Sequence, residues 1–262
     1  MSNTYFSNTY SEARTKFKNA SAQFGAKVNS YTINKEADED LTIDVASLGP
    51  EDAPTVVTSS GVHGVEGFFG SAIQLAFLDQ LSQTGHKGRI RYVLIHGVNP
   101  FGFSQLRRWN EDNVDLNRNF MQDPDRYRGA PDGYADLNSF LNPETPPSRF
   151  EPFKLKALWS IWRVGLQKLK QAVAGGQYEY PCGLFFGGTE PSNSARIVFD
   201  NCNSWLGRTN KIAHIDFHSG LGEFGTYKLL LNESSSSPNL GCAPTIAFNT
   251  LNSSLSWSLL PY

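Results

Sequence analysis

Two short segments hold the residue types that chemistry needs: Ser59-Ser60-Gly61-Val62-His63-Gly64-Val65-Glu66-Gly67 and His214-Ile215-Asp216-Phe217-His218-Ser219-Gly220. His63 and Glu66 stand three residues apart in a glycine-rich turn, a spacing that lets an imidazole and a carboxylate converge on one cation. His218, at the end of a second apolar run, can supply a third ligand. Two histidines, one carboxylate and an open fourth position form a donor set of catalytic zinc. Alone, His-x-x-Glu is a weak signal, because a glutamate at a helix start is favoured by the helix dipole in any case. Glycines at 61, 64, 67 and 70 weigh against an ordinary helix start, since they permit unusual backbone angles and close approach. Taken locally, ligand and helix-start readings stand level.

The elements around these segments decide between them. Side chains alternate along a strand, so His214, Asp216 and His218 should share one face. His214 reads as a satisfied core histidine. His218 lies at the strand's C-terminal end, where ligands gather in open α/β sheets. Upstream, Tyr10, Ala13, Phe17, Ala20 and Phe24 recur at helical steps, predicting a helix over 8–24 that Gly25 stops. Residues 28–33 and 41–48 read as a hairpin with an acidic turn at 36–40. Ala53–Ser60 is a continuous Thr/Val strand of the kind covered on both faces. A helix over 67–83 follows, with Phe69, Ile73, Leu75, Ala76 and Leu78 towards the core, and then a buried strand over 90–98. Strand, helix, strand in that order predicts a largely parallel sheet.

The segment 121–150 carries five prolines and reads as a long irregular excursion. Leu158, Trp162, Leu166, Leu169 and Val173 mark a helix over 152–174, and Pro191–Trp205 another. Strands are expected over 211–218 and 225–231. Ser234–Tyr262 contains no Asp, Glu, Lys, Arg or His, which leaves a buried tail or a chain that ends early relative to its relatives.

Composition bounds the rest. The chain has 262 residues, fits one α/β domain over 1–262, and is 39% hydrophobic but only 18% charged. A net charge of −2 gives no reason to expect nucleic acid or an anionic membrane as partner. There is no apolar run of transmembrane length, and the polar N-terminus lacks the regions of a signal peptide, so a cytoplasmic location is the expectation. Cys182, Cys202 and Cys242 are too scattered for a disulfide framework and are expected to pack in the core.

Between the two metal-type segments lies Arg107-Arg108-Trp109-Asn110-Glu111-Asp112-Asn113-Val114-Asp115-Leu116-Asn117-Arg118-Asn119-Phe120. A charged loop is by default a solvated surface. Three arginines interleaved with asparagine also suit a carboxylate pocket, because a guanidinium forks onto a carboxylate. Asp115-Leu116-Asn117-Arg118-Asn119-Phe120, preceded by Arg108-x-Asn110, resembles the substrate-carboxylate motif of the carboxypeptidase A-like zinc peptidases. His63-x-x-Glu66 and His218-Ser219 resemble that superfamily's metal motifs, in the same chain order. The fuller string Ser-Ser-Gly-x-His-Gly-Val-Glu-Gly-Phe is similar to a bacterial branch known mainly as a domain of unknown function, over about residues 8–231.

The resemblance implies a three-layer α/β/α sandwich with a mixed, mostly parallel sheet of about eight strands. It implies that His63, Glu66 and His218 hold one zinc ion and that Arg108 stabilises the oxyanion. Asn117 and Arg118 would bind a substrate carboxylate, and Asp115 would accept the free ring N–H of His63. The implied partner is a peptide or small molecule with a free carboxylate. The implied activity is hydrolysis of an amide next to that carboxylate, or deacylation of an N-acyl amino acid with the same metal set. One departure matters: the family's general-base glutamate lies on a strand well beyond the third ligand, and only Glu223 and Glu233 follow His218 here. Surface positions are expected for both. The substrate-closing tyrosine has only Tyr227 and Tyr262 as candidates. A zinc-binding protein without turnover therefore stands as the alternative.

Overall fold

The computed structural model describes residues 4–33, 40–85, 88–146, 148–166, 169, 175–220 and 223–226. In chain order its elements are α1 (Tyr10–Gln23), β1 (Lys27–Thr32), β2 (Thr42–Leu48), β3 (Thr55–Ser60), α2 (Gly67–Thr84), β4 (Arg91–His96), α3 (Pro100–Ser104), α4 (Tyr134–Leu141), α5 (Phe153–Val164), α6 (Asn193–Leu206) and β5 (Ile212–Phe217). They fall into two compact units, residues 1–110 with 193–262, and residues 111–192.

The first unit is built on a sheet of order β1-β2-β4-β3-β5. The β3–α2–β4 crossover makes β3 and β4 parallel, and β5 joins β3 in parallel on its other side. The β1–β2 hairpin adds antiparallel strands to the free edge of β4. Alternation along β4 sorts the core into two layers. Leu94 packs with Phe17 of α1, Ala46 of β2 and Leu78 of α2. Val93 and Ile95 face the other way, beside Val57, His214 and the α6 residues Val198, Cys202 and Trp205. Helices thus cover both faces of a mixed sheet, an α/β sandwich with five strands among the described residues where about eight were expected.

Local chemistry sets the element ends. Thr9, in extended conformation, accepts the Glu12 N–H and caps α1, and Gly25 at φ 80° turns the chain away from it. Within α2 the structure buries Gln74 and leaves Phe69 38% exposed, against the expected core face. Gln74 is fully hydrogen-bonded there: its Nε2 donates to the carbonyls of Thr58 (3.3 Å) and Ile95 (3.1 Å), and its Oε1 accepts from Ser60 Oγ (3.0 Å). It straps α2 across the ends of β3 and β4.

A second buried polar cluster pins α1 to the hairpin. Asp44 is fully buried and accepts from Arg14 Nε (2.9 Å), Ser30 Oγ (2.5 Å) and Thr42 Oγ1 (3.2 Å). Tyr10 Oη closes it by binding both the N–H and the carbonyl of Thr42, at 2.9 and 3.0 Å. Opposite Asp44 in the strand register stands His96, stacked on Phe17 at 4.5 Å. Burial pushes its imidazole down to about 4, against the pull of Asp44, so it is neutral at physiological pH.

In the second unit, α4 and α5 pack around Tyr134 and Leu137, with Val164 and Leu169 against them. The helix expected over 152–174 stops at Gly165, whose φ of 88° suits a residue without a Cβ. Residues 167, 168 and 170–174 lie outside the described residues, as do residues 36–39 of the acidic turn expected at 36–40 and residues 227–231 of the strand expected over 225–231. Residues 225 and 226 instead close a turn, with Thr226 N–H on the Glu223 carbonyl at 3.1 Å. Cys182 is exposed rather than packed in the core; Cys202 is half-buried, and Cys242 lies outside the described residues. No helix among the described residues is long and apolar enough to cross a membrane.

Asp44→Ala should lower stability by about 3 kcal/mol, because it leaves a half-buried guanidinium without its deeper partner. Urea denaturation followed by far-UV circular dichroism reads this directly, and a loss below about 1 kcal/mol would show that the cluster is not what holds α1 down.

Candidate metal centre

Parallel pairing of β3 and β5 places Ser60 opposite Phe217, so the two strands end at the same edge. His63 follows three residues after one end and His218 one residue after the other. The chain leaves β3 through Gly61 at φ 74° and enters a 3-10 turn, Gly64–Glu66, with His63 extended in front of it. Backbone hydrogen bonds hold this turn: Gly64 N–H to the Arg108 carbonyl (3.1 Å) and Val65 N–H to that of Arg107 (2.9 Å). Asn99 Nδ2 donates to the same Arg108 carbonyl at 3.1 Å, and its Oδ1 caps α3 through Gly102 N–H at 2.8 Å. The approach is so close that a Cβ on Gly64 would lie 2.1 Å from the Gly102 carbonyl carbon and 2.3 Å from Phe103 N. Only glycine fits.

The turn aims two side chains at His218. His63 Nδ1 lies 3.1 Å from Glu66 Oε1 and 3.3 Å from His218 Nδ1, and His218 Nδ1 lies 3.4 Å from Glu66 Oε2. One ligand atom from each of the three residues falls within 4.8 Å of the others. His63 is buried, while the side chain of His218 keeps 27% of its surface, so the cluster opens on that side. Ser219 N–H donates to Glu66 Oε2 at 2.7 Å and fixes the carboxylate.

Behind His218 runs a hydrogen-bonded chain. Asp216 Oδ2 lies 2.5 Å from His218 Nε2, Ser59 Oγ donates to Asp216 Oδ1 at 2.6 Å, and His214 Nε2 lies 2.8 Å from Ser59 Oγ. A hydroxyl has one proton and the carboxylate only accepts, so His214 must donate through Nε2. Burial lowers the His214 pKa, against Asp216, which keeps it the neutral core histidine expected. The chain also orients His218: with Nε2–H given to Asp216, its Nδ1 is the atom left for the cluster. A carboxylate behind a histidine is the arrangement that fixes tautomer and raises ligand basicity in metal sites.

Charge follows geometry. Burial works to raise the Glu66 pKa, but hydrogen bonds from His218, His63 and the Ser219 N–H hold it at about 2. Burial works to lower that of His218, but Asp216 and Glu66 together lift it to about 10. Two imidazole nitrogens and one carboxylate, converging with the outer nitrogen of one ring already committed, fit a borderline divalent cation such as zinc.

Of the other expected residues, Arg108 is half-buried in the first unit, its carbonyl committed to the turn. Asp115, Asn117 and Arg118 belong to the second unit. There Asp115 Oδ1 caps the 3-10 turn Leu116–Arg118 by accepting the Asn117 N–H at 3.1 Å. Buried Asn119 clamps that turn to the carbonyls of Gly187 (2.8 Å) and Glu190 (2.9 Å) and to Ser192 N–H (2.7 Å). The Arg118 stem lies over Gly176, where a Cβ would come within 2.7 Å of it. Asn117 and Arg118 remain partly exposed. Glu223 sits in an exposed turn, and Glu233, Tyr227 and Tyr262 lie outside the described residues. Strand alternation puts Asp216 on the His218 face, but nothing in the local sequence gives it a role. Its link to Ser59 depends on the β3–β5 pairing, which no local pattern announces.

A family model described as a protein of unknown function (DUF2817) matches residues 6–247. No curated protein matches the chain. Among solved structures, bovine thrombin-activatable fibrinolysis inhibitor, in complex with tick carboxypeptidase inhibitor, is similar at 15% identity and TM-score 0.49, over 81% of this chain and 60% of that one. Carboxypeptidase A from Helicoverpa armigera is similar at 12% identity and TM-score 0.44, over 81% of this chain and 46% of that one. The chain thus spans less than two thirds of the length of either structure.

Two outcomes test the centre. A ligating His218 must lose the proton that it holds below about 10, so cation affinity should climb by at least about tenfold per pH unit up to that value. Calorimetry in buffers of differing ionisation enthalpy should show at least one proton released per ion, and none released would exclude His218 as a ligand. For chelator-treated protein the sign runs the other way. The raised pKa stabilises the fold fully below the ordinary imidazole value of 6.5, and that contribution fades as pH rises through about 10. Separately, Asp216→Asn should weaken zinc binding by about 10–100-fold with the fold intact. Competition against a chromophoric chelator measures it, and unchanged affinity would mean that Asp216 does not position the ligand.

Proposed function

We propose that this chain, which belongs to the family of unknown function (DUF2817) whose model matches residues 6–247, is a zinc-dependent hydrolase that cleaves an amide bond next to a free carboxylate. The observation that carries the reading is the convergence of His63, Glu66 and His218 at the shared end of two parallel strands. One negative donor against a dication leaves the centre net positive, which preserves its power as an electrophile. When bound, the ion supplies Lewis acidity for the scissile carbonyl and for the attacking water.

The chain's own residues supply the rest. Glu66 stays ionised across the physiological range and offers its charge without a proton to lose. Asp216 holds His218 in the tautomer that presents Nδ1. The half-buried Arg108 is the group proposed for oxyanion stabilisation, since a guanidinium aimed at developing charge acts without reorganising. Asn117 and Arg118 are proposed to bind the substrate carboxylate and Asp115 to accept a ring N–H of His63, the roles that the motif resemblance assigns. The expected substrates are peptides with a free C-terminus, or N-acyl amino acids processed by the same set.

One observation favours a second reading. Glu223, a carboxylate that follows the third ligand, is exposed in a turn closed by its own backbone. If no carboxylate serves as general base, the chain binds zinc and carboxylate ligands without turning them over.

A mass-spectrometric screen of zinc-loaded protein against pooled peptides and N-acyl amino acids separates the readings, with chelator-treated and His218→Ala protein in parallel. Hydrolysis predicts chelator-sensitive loss of C-terminal residues or of acyl groups, abolished in His218→Ala along with stoichiometric zinc. Full zinc occupancy without turnover would support the binding-only reading, and unchanged metal content in His218→Ala would overturn the ligand assignment.

A further inference from the structure

The helix α5 carries its apolar stripe on the wrong side for a core. Leu155, Leu158, Trp159 and Trp162, with Leu166 just beyond the helix, are 69, 63, 56, 83 and 50% exposed. The four residues within α5, Leu155, Leu158, Trp159 and Trp162, fall within one arc at about 100° per residue. Opposite that arc, Ser160 is buried and Ala157, Ile161 and Val164 are half-buried, and α4 packs against α5. Basic residues flank the outer stripe on both sides: Lys154 on one, Lys156 and Arg163 on the other, again by helical angle. The Arg163 guanidinium lies 5.2 Å from the Trp159 ring centroid, so its charge sits at the edge of the aromatic surface. Residues 149–166 contain four basic residues against one acid, Glu151, which is paired with Lys156 at 2.7 Å.

We propose that α5 docks the protein on an anionic lipid surface. Leu155, Leu158, Trp159 and Trp162 enter the headgroup–acyl boundary, and Lys154, Lys156 and Arg163 meet the lipid phosphates. Tryptophan and leucine on one face, bounded by lysine and arginine, is the pattern of a helix lying in the interface plane. The stripe is a convex ridge on a single helix, a shape that a fluid surface accommodates without a matching groove. Charge argues against a second copy of this chain as occupant, because pairing two such faces would bring like-charged flanks together. The net charge of −2 conceals this site, since the basic residues gather on one helix.

Sedimentation of the full chain with vesicles tests the proposal, using phosphatidylcholine alone and phosphatidylcholine mixed with phosphatidylglycerol. Binding is expected to the mixed vesicles, with a blue shift of tryptophan emission. Lys154→Gln and Lys156→Gln should each weaken it about fivefold. The Trp159→Ser/Trp162→Ser double variant should lose at least about tenfold, with an unchanged circular dichroism spectrum. Absence of binding to the mixed vesicles by folded protein would overturn the proposal, as would equal binding by the double variant. A concentration-dependent dimer that Trp162→Ser dissociates would assign the face to a second copy instead.

Discussion

The candidate centre rests on a backbone contact rather than on any side chain. Gly64 lies so close to Gly102 and Phe103 that no Cβ can stand between them, and the N–H groups of Gly64 and Val65 donate to the carbonyls of Arg108 and Arg107. That contact fixes the His63 turn relative to α3, and the Asn99 amide fixes α3 and the 107–108 strand of backbone together. Because the turn continues directly into α2, the strap made by Gln74 across β3 and β4 anchors the same assembly from the other end. His63 and Glu66 therefore inherit their positions from a rigid frame, the condition under which ligand atoms can be held to the tolerances that a metal site demands.

Electrostatics then complete what packing begins. Glu66 and Asp216 flank His218 on its two nitrogens, and each is fixed by a further donor, the Ser219 N–H for one and the Ser59 hydroxyl for the other. Two carboxylates around one ring make that ring basic, so a divalent cation bound there would have to displace a proton from the same Nδ1 lone pair. The neutral His214 at the far end of the chain adds no charge of its own, so the Ser59–Asp216 link transmits orientation without cancelling the field of Asp216.

Much of this was legible in the residues, for physical reasons that differ from element to element. Apolar spacing located α1 and α2 because each must bury one side, and uninterrupted Thr/Val and Val/Ile runs located β3 and β4 because both faces are covered. His63 and Glu66 stood out because their spacing sits among glycines. Strand order was not legible, since it depends on long-range pairing, and with it went the partnership of Ser59 and Asp216, which are 157 residues apart. Gln74 reads as exposed, as a polar residue in an amphipathic pattern does, whereas Thr58, Ser60 and Ile95 supply four hydrogen-bonding groups to it.

The helix α5 shows where periodicity misleads. Leu158 and Trp162 lie in the helix that their spacing predicts, which ends at Val164, but an apolar stripe says only that one side prefers to leave water, not that the protein's own core receives it. The inner side of α5 is served by small and β-branched residues, Ala157, Ser160, Ile161 and Val164, which allow close packing on α4, while the bulky residues are left outside. A helix that needed only to stabilise its own unit would place tryptophan and leucine inward and the serine outward. Among the described residues the inner side of α5 is held by the Tyr134–Leu137 cluster, and the reversed distribution, bounded by cations on both flanks, is what the proposed interfacial role of α5 would use.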